Sequence, residues 1–196
     1  MMGAALLWVG WFGFNAGSAL AADGRAGLAL AVTHIAAAAG VMSWMLAEWI
    51  VRRRPSLLGL CSGAVAGLVA ITPASGFVTP GSALLIGLVA GAACYWGATG
   101  LKKLLRTDDS LDVFGVHGVG GLVGCVMTGL LADPVVGGAT ASVVTQLIGA
   151  LAVLAYSAVV TALLLWITSM IVALRVDEEE EQDGLDLSLH REKVGG

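Results

Sequence analysis

The stretch Asp112-Val113-Phe114-Gly115-Val116-His117-Gly118 decides the reading of this chain. It opens an apolar run, residues 113–132, that is 20 residues long and holds no Asp, Glu, Lys or Arg. A helix of that length crosses the hydrocarbon core of a bilayer. His117 is thereby set inside a membrane span. An unpartnered polar ring is costly there, so an intramembrane imidazole is either a functional site or a ring bonded to a carbonyl of a neighbouring helix. Gly118, Gly120, Gly121 and Gly124 follow. Residues this small let a neighbouring helix, or a small permeant, come close to the ring.

The rest of the chain fits a lipid solvent. Of its 196 residues, 58% are apolar and only 12% charged, and the mean hydropathy is +0.90. A water-soluble domain of this size could not cover so much apolar surface. Cys61, Cys94 and Cys125 stand singly in separate apolar runs, without metal-ligand spacing, and read as packing residues. The net charge of −4 is local: from Arg175 onward three basic residues face eight acidic ones. The acidity belongs to a water-exposed tail, so the chain divides into a membrane domain, residues 1–174, and an acidic tail, residues 175–196. No basic region stands beside Met1, which argues against a cleavable signal and makes the sequence read as if it starts within a longer protein.

Six spans are expected. The first covers residues 1–22 and the second 26–49. Residues 55–101 form one uncharged stretch, split in two by Thr72-Pro73-Ala74-Ser75-Gly76 and Pro80-Gly81. The fifth covers 113–132 and ends at Asp133-Pro134. The sixth begins near Ala139 and runs to Leu174, about 36 residues or roughly 54 Å at 1.5 Å per residue, as one long tilted helix. Arg52 to Arg54, Lys102, Lys103, Arg106 and Arg175 all fall on one side of such an array, and only Arg25 on the other. The positive-inside bias therefore puts both termini in the cytoplasm of a multi-pass inner (plasma) membrane protein, with the tail near the basic loops.

Several residues carry chemistry or its bland equivalent. Phe14 and Ser18 share a helix face at i, i+4. They suit a cation-contacting mouth, or equally a packing ring and a hydroxyl bonded to its own backbone. His34 lacks a glycine-rich face and reads as structural. Asp112 sits where an aspartate can cap the fifth span, while Asp108 and Asp109 read as loop charges. Gly59, Gly63 and Gly67, and also Gly87 and Gly91, recur every four residues, a signature of tight helix contact. No nucleophile elbow, CxxC, HExxH or P-loop appears, so no enzyme, cofactor or metal site is expected. The short basic loops lack the aromatic interleaving of a nucleic-acid binder.

Four segments together carry a resemblance: WFGFNAGS at 11–18, PSLLGLCSGAVAGLVAIT at 55–72, LRTDDSLDVFGVHGVGGLVGCVMTG at 105–129, and Gly184-Leu185-Asp186. They closely resemble the ammonium transporter family, Amt/Mep/Rh, on its bacterial Amt side, in order and over essentially the whole chain. Members have eleven helices, as two inverted five-helix repeats and a long closing helix, and assemble as trimers with one pore per subunit. The resemblance implies an all-α integral membrane protein of six transmembrane helices, matching the second repeat and the closing helix. The first repeat is expected to lie outside this sequence.

The resemblance also implies roles. Phe14 becomes a ring of the external gate and Ser18 part of the ammonium recruitment site. His117 becomes the second of two pore histidines. Leu7, Trp11 and Val113 line the pore, and Asp112 is the motif aspartate at its cytoplasmic foot, a structural or proton-relay residue. Gly184 and Asp186 belong to a regulatory tail that couples subunits and meets PII-type signal proteins, although Arg191 stands where the family commonly has glycine. His34 has no counterpart among the pore histidines. The implied function is ammonium or ammonia transport along an apolar, histidine-lined pore, in a half that is not competent alone. Two alternatives remain: a non-transporting half that packs with and modulates full-length transporters, and a channel for a small neutral solute.

Overall fold

Asp23 shows how the helices of this chain are started. Its carboxylate accepts the backbone N–H groups of Arg25 and Ala26 at 2.9 and 3.1 Å, satisfying donors that a first turn leaves free. The computed structural model describes residues 1–138 and 140–192. Among them there is no strand. Helix α1 spans Met2–Gly17, α2 Gly24–Arg52, α3 Leu57–Ala74 with its last turn tightened to 3-10 geometry, α4 Pro80–Leu105 and α5 Phe114–Leu131. A short α6, Pro134–Gly137, precedes α7, Val143–Ser169, and the tail holds α8, Glu178–Asp183, and α9, Leu185–Ser188.

Five of these, α2 to α5 and α7, are long and apolar enough to cross a membrane. Helix α1 has 16 residues, about 24 Å at 1.5 Å per residue, short of a core of ~30 Å. The expected first span ran on to residue 22. It stops at Gly17 because the chain turns there: Ala19 and Leu20 donate to the carbonyls of Ala16 and Gly17, and Leu20 takes a φ of 59°. The last span is a single helix as expected, but of 27 residues. Its expected start at Ala139 lies outside the described residues, as does the end of the expected tail, residues 193–196. At its far end the Ser169 hydroxyl donates to the Trp166 carbonyl at 2.7 Å, and Met170 and Ile171 continue in a turn.

Two compact units divide the chain, residues 1–150 and 151–196. In the first, α2 is the central helix, with α3 and α4 packed along it. The glycine ladders expected from sequence form this seam. A Cβ on Gly63 would lie 2.7 Å from the Trp44 Cβ and 2.8 Å from the Gly40 carbonyl, and one on Gly91 would lie 2.8 Å from the Ser43 Cβ. Only glycine permits such backbone approach, which supplies the dispersion contacts that hold helices together in lipid. The core above and below is built from Val32, Ala36, Ile71, Val78 and Ile86 at one end and Trp44, Cys94, Tyr95 and Val116 at the other. On the solvent-loop side Arg25 closes the bundle, donating to the Gly137 carbonyl at 2.7 Å and the Gly76 carbonyl at 3.4 Å and lying 5.1 Å over the Phe77 ring. In the second unit Gly184, at φ 91°, joins α8 to α9, a backbone state that suits a residue without Cβ.

Candidate functional site

Helix α1 presents one uncovered face. Leu6, Leu7, Gly10, Trp11 and Phe14 line a groove of about 450 Å³ along it. The i, i+3, i+4 spacing of these residues puts them on one side of a helix. Three sequence-expected residues, Leu7, Trp11 and Phe14, are thus brought together. The Trp11 ring is fixed from below, since its indole N–H donates to Thr72 Oγ1 at 2.8 Å and that hydroxyl donates to the Leu68 carbonyl. Phe14 meets it edge-on, with centroids 6.2 Å apart, and is 65% exposed. Ser18 lies one turn further, and its hydroxyl donates to the Phe14 carbonyl at 2.8 Å. This is the local backbone bond open to such a serine. On its other side α1 is anchored by buried Asn15, whose amide donates to Thr33 Oγ1 at 2.9 Å.

His117 and Val113 sit at the start of α5 and are not among the residues that line the α1 groove. Residues Phe114–Gly118 form a widened, π-helical turn, in which the N–H of Val119 reaches the carbonyl of Phe114. His117 is exposed, with ring Nδ1 3.2 Å from the Val113 carbonyl. The helix start is capped by Asp109, not Asp112: the N–H groups of Val113 and Phe114 donate to its two carboxylate oxygens at 2.8 and 2.9 Å. Asp112 takes a φ of 55°, which turns its side chain away from the helix end and into an ion pair with Lys102 at 2.8 Å. Asp112 therefore ties the foot of α5 to α4 instead of capping it. His34 packs between aromatic rings of α1, 5.3 Å from Trp8 and 5.9 Å from Phe12.

Sequence reading passed over Glu48. It is 2% exposed and accepts both the backbone N–H and the hydroxyl of Ser56 at 2.9 Å, with Arg52 at 3.5 Å. Ser56 in turn caps α3 through the Gly59 N–H. The available signal was an acid inside an otherwise uncharged run, four residues before a basic one. Glu48, Arg52, Tyr95, Lys102 and Asp112 share the lining of a polar cavity of about 210 Å³ at this end of the bundle. In the tail, Arg175 bonds Glu181 at 2.8 Å, and the hydrogen bond and charge of that guanidinium hold the Glu181 carboxyl below its ordinary range. Gly184 accepts the Ser188 hydroxyl at its carbonyl, and the Asp186 carbonyl accepts the Glu192 N–H at 2.9 Å.

Fold and composition together define an all-α, multi-pass membrane protein. A profile of the Ammonium Transporter Family matches residues 1–194, and the chain belongs to that family. It is 48% identical over 202 residues to an ammonium transporter of Bacillus subtilis (strain 168), covering 98% of this chain and 50% of that protein. It is 47% identical to the ammonium transporter Amt1 of Archaeoglobus fulgidus, covering 98% and 50%. The crystal structure of Saccharomyces cerevisiae Mep2 superposes with a TM-score of 0.81 at 42% identity, covering 87% of this chain and 44% of that one. A structure of a sensor Amt protein gives 0.88 at 33% identity, with 96% and 48% covered. The chain thus spans about half the length of its relatives, as expected of a C-terminal half. The family is one of transporters, not of enzymes.

Proposed function

We propose that this chain supplies one wall of an ammonium-conducting pore. The observation that carries this reading is the uncovered groove on α1, in which Leu7, Trp11 and Phe14 lie together, in a chain that matches ammonium transporters along nearly its whole length. Ser18 and Phe14 then form the outer mouth, Leu7, Trp11 and Val113 the apolar path, and His117 the polar point within it. An apolar lining discriminates against hydrated metal ions, because it cannot replace the water they would lose. An imidazole suits passage of ammonium or ammonia, since its two nitrogens serve as donor and acceptor near neutral pH. Asp112 positions the span that carries His117 through its pair with Lys102.

The same reading makes residues 1–174 a membrane domain and 175–196 an acidic cytoplasmic tail in which Gly184 and Asp186 serve regulation, with a PII-type signal protein as its partner. The basic loops between spans support cytoplasmic termini in an inner (plasma) membrane. The functional assembly is a trimer, or a complex with a first half. A pore between two repeats needs both walls. In liposomes, therefore, the purified chain alone gives no saturable methylammonium uptake, and co-expression with a first repeat restores it. In the restored pore, His117→Ala lowers uptake far more than His34→Ala at matched membrane abundance. Saturable uptake by the chain alone would sink the two-wall reading. The half-length coverage also favours a second reading, a non-transporting half that modulates full-length transporters. There, co-expression changes uptake by a complete transporter and restores none with a first repeat.

A further inference from the structure

Two widened turns among the described residues touch each other. One is Gly97–Leu101 in α4, where the N–H of Lys102 reaches the carbonyl of Gly97. The other is Phe114–Gly118 in α5, which carries His117. Such turns are rare and cluster at functional positions. Gly97 and Gly115 are both buried where they meet. A Cβ on Gly97 would lie 2.7 Å from the Gly115 carbonyl oxygen and 3.1 Å from its Cα. A Cβ on Gly115 would lie 2.6 Å from the Ala98 nitrogen and 2.8 Å from its Cα. Apart from the Val119 Cγ2, 3.1 Å from the Cβ position on Gly97, the atoms met are backbone, so a side-chain rotation cannot relieve the contact. Between the same two turns the Cys94 thiol lies 3.5 Å from the Val116 carbonyl, in the geometry of a donor to it.

We propose that the Gly97–Gly115 contact is a positioning device that holds α5 in its widened register and thereby sets the direction of His117. An α-helix turns roughly 100° and rises about 1.5 Å per residue. Losing the extra residue of the widened turn would swing His117 by about that much relative to the helix body. The contact between two glycine backbones fixes which register is populated, because only the widened one fits flush against α4. Gly97 and Gly115 are thus positioning residues that act through His117. The consequence for conduction rests on the proposed role of His117, whereas the geometric claim does not.

The test uses the full chain in lipid bilayers with ¹⁵N-labelled histidine, the His117 ring resonances being assigned by their loss in His117→Ala. Gly115→Ala and Gly97→Ala should both move these resonances. Gly124→Ala is the control: in a purely α-helical part of α5 its Cβ would press on the Ala70 backbone, the carbonyl oxygen first and the Cα at 3.0 Å, so it overpacks that contact but leaves the His117 signals in place. If the glycine variants fail to insert, Val119→Ala, which removes the methyl group packed beside Gly97, must move the signals instead. Unmoved His117 resonances in inserted Gly115→Ala and Gly97→Ala, or in Val119→Ala, overturn the proposal. In the chain paired with a first repeat, Gly115→Ala should cut methylammonium uptake on the order of a hundredfold, as sub-ångström to ångström misplacement of a working group does. Moved resonances with unchanged uptake would leave the positioning device standing and remove His117 from the transport reading.

Discussion

The seam between α2, α3 and α4 and the open face of α1 have nearly the same composition and opposite structures. Both are apolar and both are rich in glycine. Along the seam, a Cβ on Gly40, Gly63, Gly67, Gly87 or Gly91 would collide with a neighbouring backbone. On α1, a Cβ on Gly3, Gly10, Gly13 or Gly17 meets nothing within 4 Å, while Leu6, Leu7 and Phe14 stay more than half exposed. In water the exposed leucines would signal a fault. In lipid, apolarity alone drives no association, so size and backbone access separate a packed face from an uncovered one. The α1 face keeps its large side chains around a groove, as a wall facing a permeant would, whereas the seam gives up side chains to bring backbones together.

The largest effect that could break this comparison is a methyl group added to each side. Gly67→Ala places its Cβ 2.8 Å from the Ala37 Cα and should cost about 3 kcal/mol, the upper part of the overpacking range because backbone must move. Gly10→Ala should cost nothing and gain up to about 1 kcal/mol of helix propensity. Reversible unfolding of both variants in mixed micelles measures the pair, and similar losses would erase the distinction. Next in size is the polar foot of the seam. Glu48→Ala removes the buried carboxylate that accepts the Ser56 N–H and hydroxyl and should cost about 2 kcal/mol, as loss of hydrogen bonds to a charged group does. Ser18→Ala on α1, which removes a single exposed bond, should stay within about 0.5 kcal/mol in the same assay.

The smallest effect lies in the tail, where water and not lipid or protein surrounds the side chains. The Glu181 carboxyl titrates below its ordinary value of 4.5 because of Arg175. A lowered folded-state value means that the pairing contributes above the ordinary value and is lost as the pH falls through the lowered one. A carboxyl NMR titration should show the Glu181 midpoint rising toward 4.5 in Arg175→Ala. An unchanged midpoint would mean that the guanidinium does not hold that carboxylate in solution.

Much of the fold was legible because lipid writes in simple signs. Uncharged runs gave the helices α2 to α5 and α7, Pro80 and Asp133-Pro134 marked breaks, and four-residue glycine spacing marked the seam. What was hidden depends on groups that meet only after folding. The end of α1 at Gly17 rests on a turn with a left-handed Leu20, a state that leucine does not advertise. Asp109 and Asp112 exchange their expected roles because one φ of 55° redirects the second. The widened turn under His117 depends on a glycine in α4, 18 residues earlier in the chain than Gly115. Glu48 is buried only because the start of α3 folds back over it. At the candidate site the sequence named Leu7, Trp11 and Phe14, and the structure sets them in one groove.

Arg25 carries a conflict between two moments in the life of the protein. Under the proposed orientation it is the basic residue that must be carried across the bilayer. Against a potential negative inside, that costs about 2.3 kcal/mol per 100 mV. Once folded, the same charge rests on two carbonyl oxygens and the face of Phe77, binding α2 to the loop after α3 and to the short α6. Insertion is thus made harder by the residue that later fastens the outer end. A neutral side chain there would ease delivery to the membrane and loosen what is delivered, so biogenesis and durability pull on this one position in opposite directions.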